Sequence, residues 1–312
     1  MSRFVEVLQT VLPVLVMLCI GMICRKRSII TREGINTLKS VVVNITLPAV
    51  LIGVFASSEY SLMDIVVPLI MFVVCFTAWL LGFFAEKAFH MNSRFVPYLT
   101  TGFEAGMLGY ALFNMLYGSG ELASMARLDL GQVLFVFTIY KILLGLNDPH
   151  KKSISISGLM KEMVLSPTII SITAGVLIGA TGLYRALTPS GISGILTACT
   201  DFVSAPTSAI ILLTIGYDLV FSDIPWVSAG KAVALRFVIM MALRFVMVLV
   251  LNLIFKDSGM VHAINVMFIL PPPFVLPVFA DDAGQRVYVS SVLSLSTVVS
   301  IVGFAVLAVI GA

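Results

Sequence analysis

The feature that most constrains this chain is a succession of apolar stretches separated by short polar loops. A helix needs about 20 apolar residues to cross a bilayer, because each residue rises ~1.5 Å and unpaired backbone groups are not tolerated in lipid. The pattern therefore predicts an all-α integral membrane protein with ten transmembrane helices. The ten predicted spans are 5–24, 35–56, 63–88, 95–117, 128–146, 164–183, 196–220, 227–255, 260–280 and 287–310.

Composition agrees with a protein whose solvent is lipid. Hydrophobic residues make up 59% of the 312 residues and charged residues 11%, against roughly 25% charged in soluble domains. No basic stripe is interleaved with aromatic residues, so nucleic acid is not an expected partner. The four cysteines stand singly and there are three histidines, so neither a metal site nor a cofactor is expected. The first stretch is expected to remain as an uncleaved helix.

Lysine and arginine are distributed unevenly between the two sides. If the N-terminus is outside, twelve lie at cytoplasmic ends of the spans and four at the opposite ends. The twelve are Arg25, Lys26, Arg27, Arg32, Lys39, Lys87, Arg94, Lys151, Lys152, Lys161, Lys231 and Arg286. Because cytoplasmic loops carry the excess of these residues, we expect a multi-pass protein of the cell membrane with both termini extracytoplasmic.

The chain carries signs of an internal repeat. Pro13 and Gly21 are eight residues apart in the first span, and Pro167 and Gly175 are eight apart in the sixth. Each half holds five predicted helices, an odd number, so the second half must be inserted upside down. The predicted organisation is two inverted five-helix repeats and a cytoplasmic linker, at 1–146, 164–312 and 147–163.

The fourth and ninth predicted spans are interrupted at mid-depth. The fourth places Gly102, Gly106 and Gly109 around Glu104, and glycines let a backbone unwind and another chain approach. The ninth contains three consecutive prolines, 271–273, which remove donors and free carbonyls. Two breaks in corresponding halves predict a transport site, whose half-helix N-termini suit a carboxylate and whose C-termini suit a proton or sodium ion. The alternative is a pair of ordinary kinks.

Glu104 is a carboxylate in the middle of a span, which makes it a functional candidate. The negative end of the preceding half-helix and the dry surroundings both favour its neutral form. We therefore expect a protonation switch that couples transport to protons. The alternative is an interhelical hydrogen bond.

Other polar side chains in the spans are further candidates. Arg244 lies deep in the eighth span and needs an anion, which is Glu104, Asp129 or a bound substrate. Arg236 lies nearer the cytoplasm and is expected to snorkel. Asn44, Asp129 and Gln132 fit a polar substrate site, although such residues also serve as contacts between helices.

Taken in order, the motifs resemble the auxin efflux carrier family of membrane transporters, which includes bacterial permeases for malate and malonate. The residues that carry the resemblance are Asn44–Pro48, Glu104–Gly109, Asp129–Gln132, Ser166 and Pro167 with Gly175 and Gly179, and Leu270–Phe274. The resemblance covers nearly the whole chain. There are two departures, because the family usually has Asn where Glu104 stands and Pro where Ala111 stands.

The resemblance implies a particular architecture and site. Helices 1, 2, 6 and 7 would form a scaffold, against which a mobile core of helices 3–5 and 8–10 slides as an elevator. The fourth and ninth helices would cross and hold the substrate. The expected substrate-binding residues are Asn44, Glu104, Ala105, Gly106, Met107, Gly109, Asp129, Gln132, Arg244, Pro271, Pro272, Pro273 and Phe274.

The expected function is secondary active transport of a small organic anion, a carboxylate in particular, coupled to protons. A sodium-coupled symporter is the first alternative. A channel is less expected, because it would show a repeated pore-lining segment. An intramembrane aspartyl protease is also less expected, because the chain lacks the GxGD motif of that class. No phosphate-binding loop is present, so direct ATP coupling is not expected. The sequence leaves open whether the chain forms a homodimer.

Overall fold

We describe the protein from a computed structural model. The residues described are 3–58, 60–91, 93–146, 157–158, 161, 164–219, 221, 224–255, 259–280 and 282–311. Within them the chain is helical, with no β-strand. Most of the linker predicted at 147–163 lies outside the described residues.

The helices of the described part are numbered in chain order. They are α1 (Arg3–Lys26), α2 (Arg32–Ser57), α3 (Met63–Ala88), α4 (Val96–Leu99), α5 (Tyr110–Tyr117), α6 (Ser119–Gly145), α7 (Pro167–Ala180), α8 (Leu183–Ala186), α9 (Ile192–Asp218), α10 (Trp226–Phe255), α11 (Val261–Ile269) and α12 (Ala283–Gly311).

Seven of these helices are long and apolar enough to cross a membrane, namely α1, α2, α3, α6, α9, α10 and α12. The apolar helix α7 is shorter, with 14 residues. The prediction of an all-helical membrane protein is confirmed. The count of ten spans and their inverted arrangement remain predictions.

Two of the long helices are irregular beside a proline. In α2 a π-helical turn, Val42–Thr46, comes just before Pro48, and α9 is interrupted next to Pro206. A proline cannot donate to the carbonyl four residues earlier, and its ring crowds that carbonyl. Both helices therefore change their hydrogen-bonding pattern partway along their length.

Glycines bring several helices together at backbone distance. A Cβ on Gly21 of α1 would overlap the backbone of α9, and one on Gly216 of α9 would overlap that of α1. In the same way, a Cβ on Gly175 of α7 would lie 2.7 Å from the Cβ of Phe55 in α2. A first group of packed helices is therefore α1, α2, α7 and α9.

A second group surrounds the broken segments. Helix α3 packs on α6, where Gly131 faces the backbone of Pro68, and α10 packs on α3, α11 and α12. Large apolar side chains such as Leu69, Val73 and Phe245 remain exposed on the outside of this group. An apolar exterior is what lipid-facing helices require.

Candidate functional site

The first break lies between α4 and α5. Residues 100–104 are irregular, and a π-helical turn, Ala105–Gly109, then leads into α5. Gly102 has φ of 68°, a left-handed conformation that residues with a Cβ rarely adopt. A Cβ there would also lie 2.9 Å from Cγ of Pro273. The position therefore requires glycine both for its backbone and for a close contact.

The second break, residues 270–275, follows α11. The first of the three prolines excludes the helical conformation at Leu270, whose ψ is 151°, since the residue before a proline is pushed towards extended backbone. The carbonyl of Ile269, which the prolines leave without a helical donor, accepts the hydroxyl of Ser300 at 2.5 Å. Helix α12 thus satisfies part of the exposed helix end.

The two breaks bind each other directly, and we call their contact the crossing. The backbone N–H of Glu104 donates to the carbonyl of Pro271 at 2.9 Å. The backbone N–H of Phe274 donates to Oε2 of Glu104 at 2.6 Å. The amide of Phe274, within the second break, is thus occupied by a carboxylate of the chain.

Arg236 of α10 joins the two breaks from the other side. Its side chain is 4% exposed, and its guanidinium donates to four backbone carbonyls. These are Leu99 at 3.0 Å, Thr101 at 3.4 Å, Gly102 at 2.8 Å and Leu270 at 2.9 Å. Carbonyls at helix C-termini carry partial negative charge, and a planar guanidinium with five N–H groups suits such a cluster.

The expectation that Arg236 snorkels is therefore wrong. Ten residues separate it from the start of α10, a rise of ~15 Å, which is about half the hydrocarbon thickness. That depth was the signal in the sequence that this cation needed partners inside the protein.

Asp129 and Gln132 of α6 support the first break. Asp129 is 2% exposed and accepts the hydroxyl of Tyr110 at 3.0 Å and Nε2 of Gln132 at 2.8 Å. Oε1 of Gln132 accepts the backbone N–H of Phe103 at 3.4 Å. This network ties α6 to the residues on both sides of Glu104. A role of Asp129 and Gln132 in substrate binding remains a prediction.

The other predicted site residues divide into two sets. At the breaks, Ala105, Gly109, Pro271, Pro272 and Pro273 are buried, and Gly106, Met107 and Phe274 are partly buried. Asn44 instead donates to the carbonyl of Ser40 within its own helix, at 2.8 Å. Arg244 donates through Nε to Oδ1 of Asn265 at 2.8 Å. Neither side chain is hydrogen-bonded to Glu104 or Asp129.

The profile of a protein family described as membrane transport protein matches residues 6–308, nearly the whole chain. The chain belongs to this family of membrane transporters. The resemblance to the auxin efflux carrier family is thereby confirmed, and the transporter is not an enzyme. It is also 26% identical over 218 residues, 68% of each chain, to a protein of Methanothermobacter thermautotrophicus named "Uncharacterized transporter".

Two cavities of the transporter lie at opposite ends of α2. The first, which we call the vestibule, has a volume of about 660 Å³ and reaches Phe274 at the crossing. Its charged lining residues are Arg25, Arg32, Lys39, Asp218 and Arg286. The second, which we call the second pocket, has a volume of about 350 Å³ and is lined by small apolar residues, Asn114, hydroxyl side chains and one described charged residue, Asp201.

Proposed function

We propose that this transporter carries a small organic anion with a carboxylate group, and that the anion binds at the crossing. The observation that supports this most directly is the 2.6 Å contact between the carboxylate of Glu104 and the N–H of Phe274. The crossing already has the chemistry to hold a carboxylate. A second carboxylate can use the same amide only if Glu104 leaves or loses its charge, because adjacent like charges repel.

Protonation of Glu104 supplies that change and couples the substrate to a proton. A neutral carboxylic acid is a weaker acceptor than a carboxylate, so protonation releases the amide of Phe274 for the substrate. Sodium is the less favoured coupling ion. The helix-end carbonyls that would bind it already accept hydrogen bonds from the guanidinium of Arg236.

The proposed architecture is two inverted five-helix repeats in the cell membrane, with both termini extracytoplasmic. The close backbone packing of α1 with α9 and of α2 with α7 supports a rigid scaffold. The broken segments, α3, α6, α10 and α12 would form the mobile core. Sliding of the core would open the crossing first to the vestibule and then to the second pocket, as alternating access requires.

The test is the variant Glu104→Gln in proteoliposomes, after a thermal-shift screen of dicarboxylates, monocarboxylates and indole acids has identified a substrate. The variant should still exchange labelled substrate across the membrane, because exchange needs no change in protonation. It should no longer accumulate substrate under a proton gradient. Glu121→Gln, an exposed carboxylate at the start of α6, is the matched control. Accumulation by Glu104→Gln at the wild-type level would refute the coupling.

A further inference from the structure

Among the described residues that line it, the vestibule has more positive than negative charge. Arg25 ends α1, Arg32 and Lys39 belong to α2, and Arg286 belongs to α12. Against these four cations stands one described carboxylate, Asp218, at the end of α9. It forms ion pairs with both Arg32 and Lys39. One carboxylate shared by two cations leaves the described lining of the cavity with an excess of positive charge.

Arg25 and Arg286 are held in place without being neutralised. Arg25 donates to the carbonyl of Leu219 and Arg286 to that of Ala280, each at 3.2 Å. Neither is ion-paired with a carboxylate among the residues that the structure describes. A guanidinium has five N–H donors, so both side chains keep donors for an anion. A carbonyl orients the cation but does not cancel its charge.

The cavity also has the size and position of a binding site. Its volume of about 660 Å³ lies within the ~300–1,000 Å³ common for small-molecule sites. Phe274, whose amide holds Glu104, forms part of its wall, together with the hydroxyl-bearing residues Ser290 and Thr297. An anion in the vestibule is therefore adjacent to the crossing.

We propose that the vestibule is a recruitment site for small organic dianions, distinct from the crossing. The energy of an anion in a field of excess positive charge scales with the charge of the anion, so two carboxylates are attracted about twice as strongly as one. Asp218 competes with the anion for Arg32 and Lys39, which keeps the binding loose and lets the anion pass on. Only this last step rests on the proposed function.

The test compares the electrostatic potential of the two cavities in detergent-purified full-length protein. In a background without Cys19, Cys24, Cys75 and Cys199, one cysteine is introduced by Ser290→Cys in the vestibule or by Ser57→Cys in the second pocket. Each is reacted with a negatively and a positively charged methanethiosulfonate. The rate with the negative reagent divided by the rate with the positive reagent should be on the order of tenfold higher at position 290 than at position 57. This corresponds to a difference in potential of just over one kT per unit charge.

Charge variants identify the source of the potential. Arg25→Gln and Arg286→Gln should each lower the ratio at position 290 about two- to threefold, and Asp218→Asn should raise it by a similar factor. Lys26→Gln, at the exposed neighbour of Arg25 that does not line the vestibule, should leave it unchanged. Equal rate ratios in the two cavities would overturn the proposal. So would a rate ratio at position 290 that is the same in Arg25→Gln and Arg286→Gln as in the parent protein.

The preference for dianions has its own measurement. Succinate should protect the cysteine at position 290 from modification at a concentration several-fold lower than butyrate, which has the same chain length and one carboxylate. Equal protection by the two acids would overturn the preference. Neither measurement involves transport. Wild-type accumulation by Glu104→Gln would therefore refute the proton coupling and leave the vestibule proposal unaffected. Equal rate ratios in the two cavities would refute the vestibule proposal and leave the coupling unaffected.

Discussion

At the crossing, the charged side chains are bound by backbone groups. Arg236 is 4% exposed and donates to four carbonyls, and Glu104 accepts the amide of Phe274. In the vestibule beside it, the side chain of Arg32 is 62% exposed, and Arg25 has no carboxylate partner in the described part of the chain. With the vestibule as we propose it, the chain uses charge in two ways: enclosed charge fixes an unusual backbone, and exposed charge attracts a mobile ion.

The largest effect should come from removing the buried cation. Arg236→Leu leaves the carbonyls of four residues without their donor. Each lost hydrogen bond from a charged group is worth about 1.5–3 kcal/mol, so the destabilisation should be on the order of 5 kcal/mol or more. We expect little folded protein and no transport, measured as monodisperse yield in detergent and uptake in proteoliposomes. Arg236→Lys should not rescue it, because an ammonium has three donors and no planar fork.

Arg244→Leu is the matched control for this prediction. Arg244 lies on the same helix, two turns further along, and its described hydrogen bond is to the side chain of Asn265. Loss of one such bond at a half-buried position should cost about 1 kcal/mol, and folded yield should stay near wild type. If Arg244→Leu were as damaging as Arg236→Leu, four hydrogen bonds to backbone carbonyls would count no more than one to a side chain, and the special role of the buried Arg236 would be refuted. A folded Arg244→Leu protein with weakened substrate binding would support the predicted role of Arg244 at the substrate.

The backbone of the first break gives the second prediction. Gly102→Ala forces a side chain into the left-handed region and against Pro273. The conformational strain is roughly 1–2 kcal/mol, and the contact adds to it, so we expect a loss of about 2 kcal/mol or more and reduced transport. Gly106→Ala is the control, since its Cβ would meet a single neighbour, Leu47, at 3.4 Å. Thermal unfolding in detergent should rank wild type and Gly106→Ala together, above Gly102→Ala.

The breaks themselves could be predicted from the sequence because glycine and proline act locally. Three prolines remove three backbone donors wherever they stand. Glycine, the residue at position 102, tolerates a positive φ that most other residue types do not. The prediction of a membrane protein rested on the length of the apolar stretches, which is likewise a local property of the sequence. These are properties of a residue and its immediate neighbours, so they need no knowledge of the packed structure.

The partners across the breaks could not be predicted in this way. Arg236 binds carbonyls of Leu99 and Leu270, and a backbone carbonyl has no residue type by which a sequence can reveal it. The same holds for the amide of Phe274 that binds Glu104. The amide of Asn44, which its motif predicts at the substrate site, is bonded to Ser40 within its own helix, and its role at the substrate remains a prediction. Which face a polar residue presents depends on packing between distant helices.

The third prediction concerns the support of the first break by α6. Tyr110→Phe removes the hydroxyl that donates to Asp129, and it should cost about 1–2 kcal/mol because the bond is to a buried carboxylate. Asp129→Asn should be at least as damaging. Asp129 accepts hydrogen bonds from Tyr110 and Gln132 on separate oxygens, and an amide has a single oxygen to accept both. A double-mutant cycle on thermal stability should show coupling of about 1 kcal/mol. Strict additivity would mean that this hydrogen bond contributes nothing measurable.

The smallest effect, and the one that separates the two regions most directly, is the response to salt. The Debye length falls from ~10 Å at 0.1 M to ~3 Å at 1 M ionic strength, so charges that face water are screened and buried charges are affected much less. The excess of the rate ratio at position 290 over that at position 57 should therefore fall in sodium chloride from about tenfold to about twofold, a loss of roughly 1 kcal/mol or less. Over the same range the stability difference between Tyr110→Phe and wild type should stay constant, because Tyr110 and Asp129 are both buried. A ratio that persists in 1 M salt would place the vestibule cations in the same dry environment as Arg236. A Tyr110→Phe difference that shrinks with salt would place water between α6 and the first break.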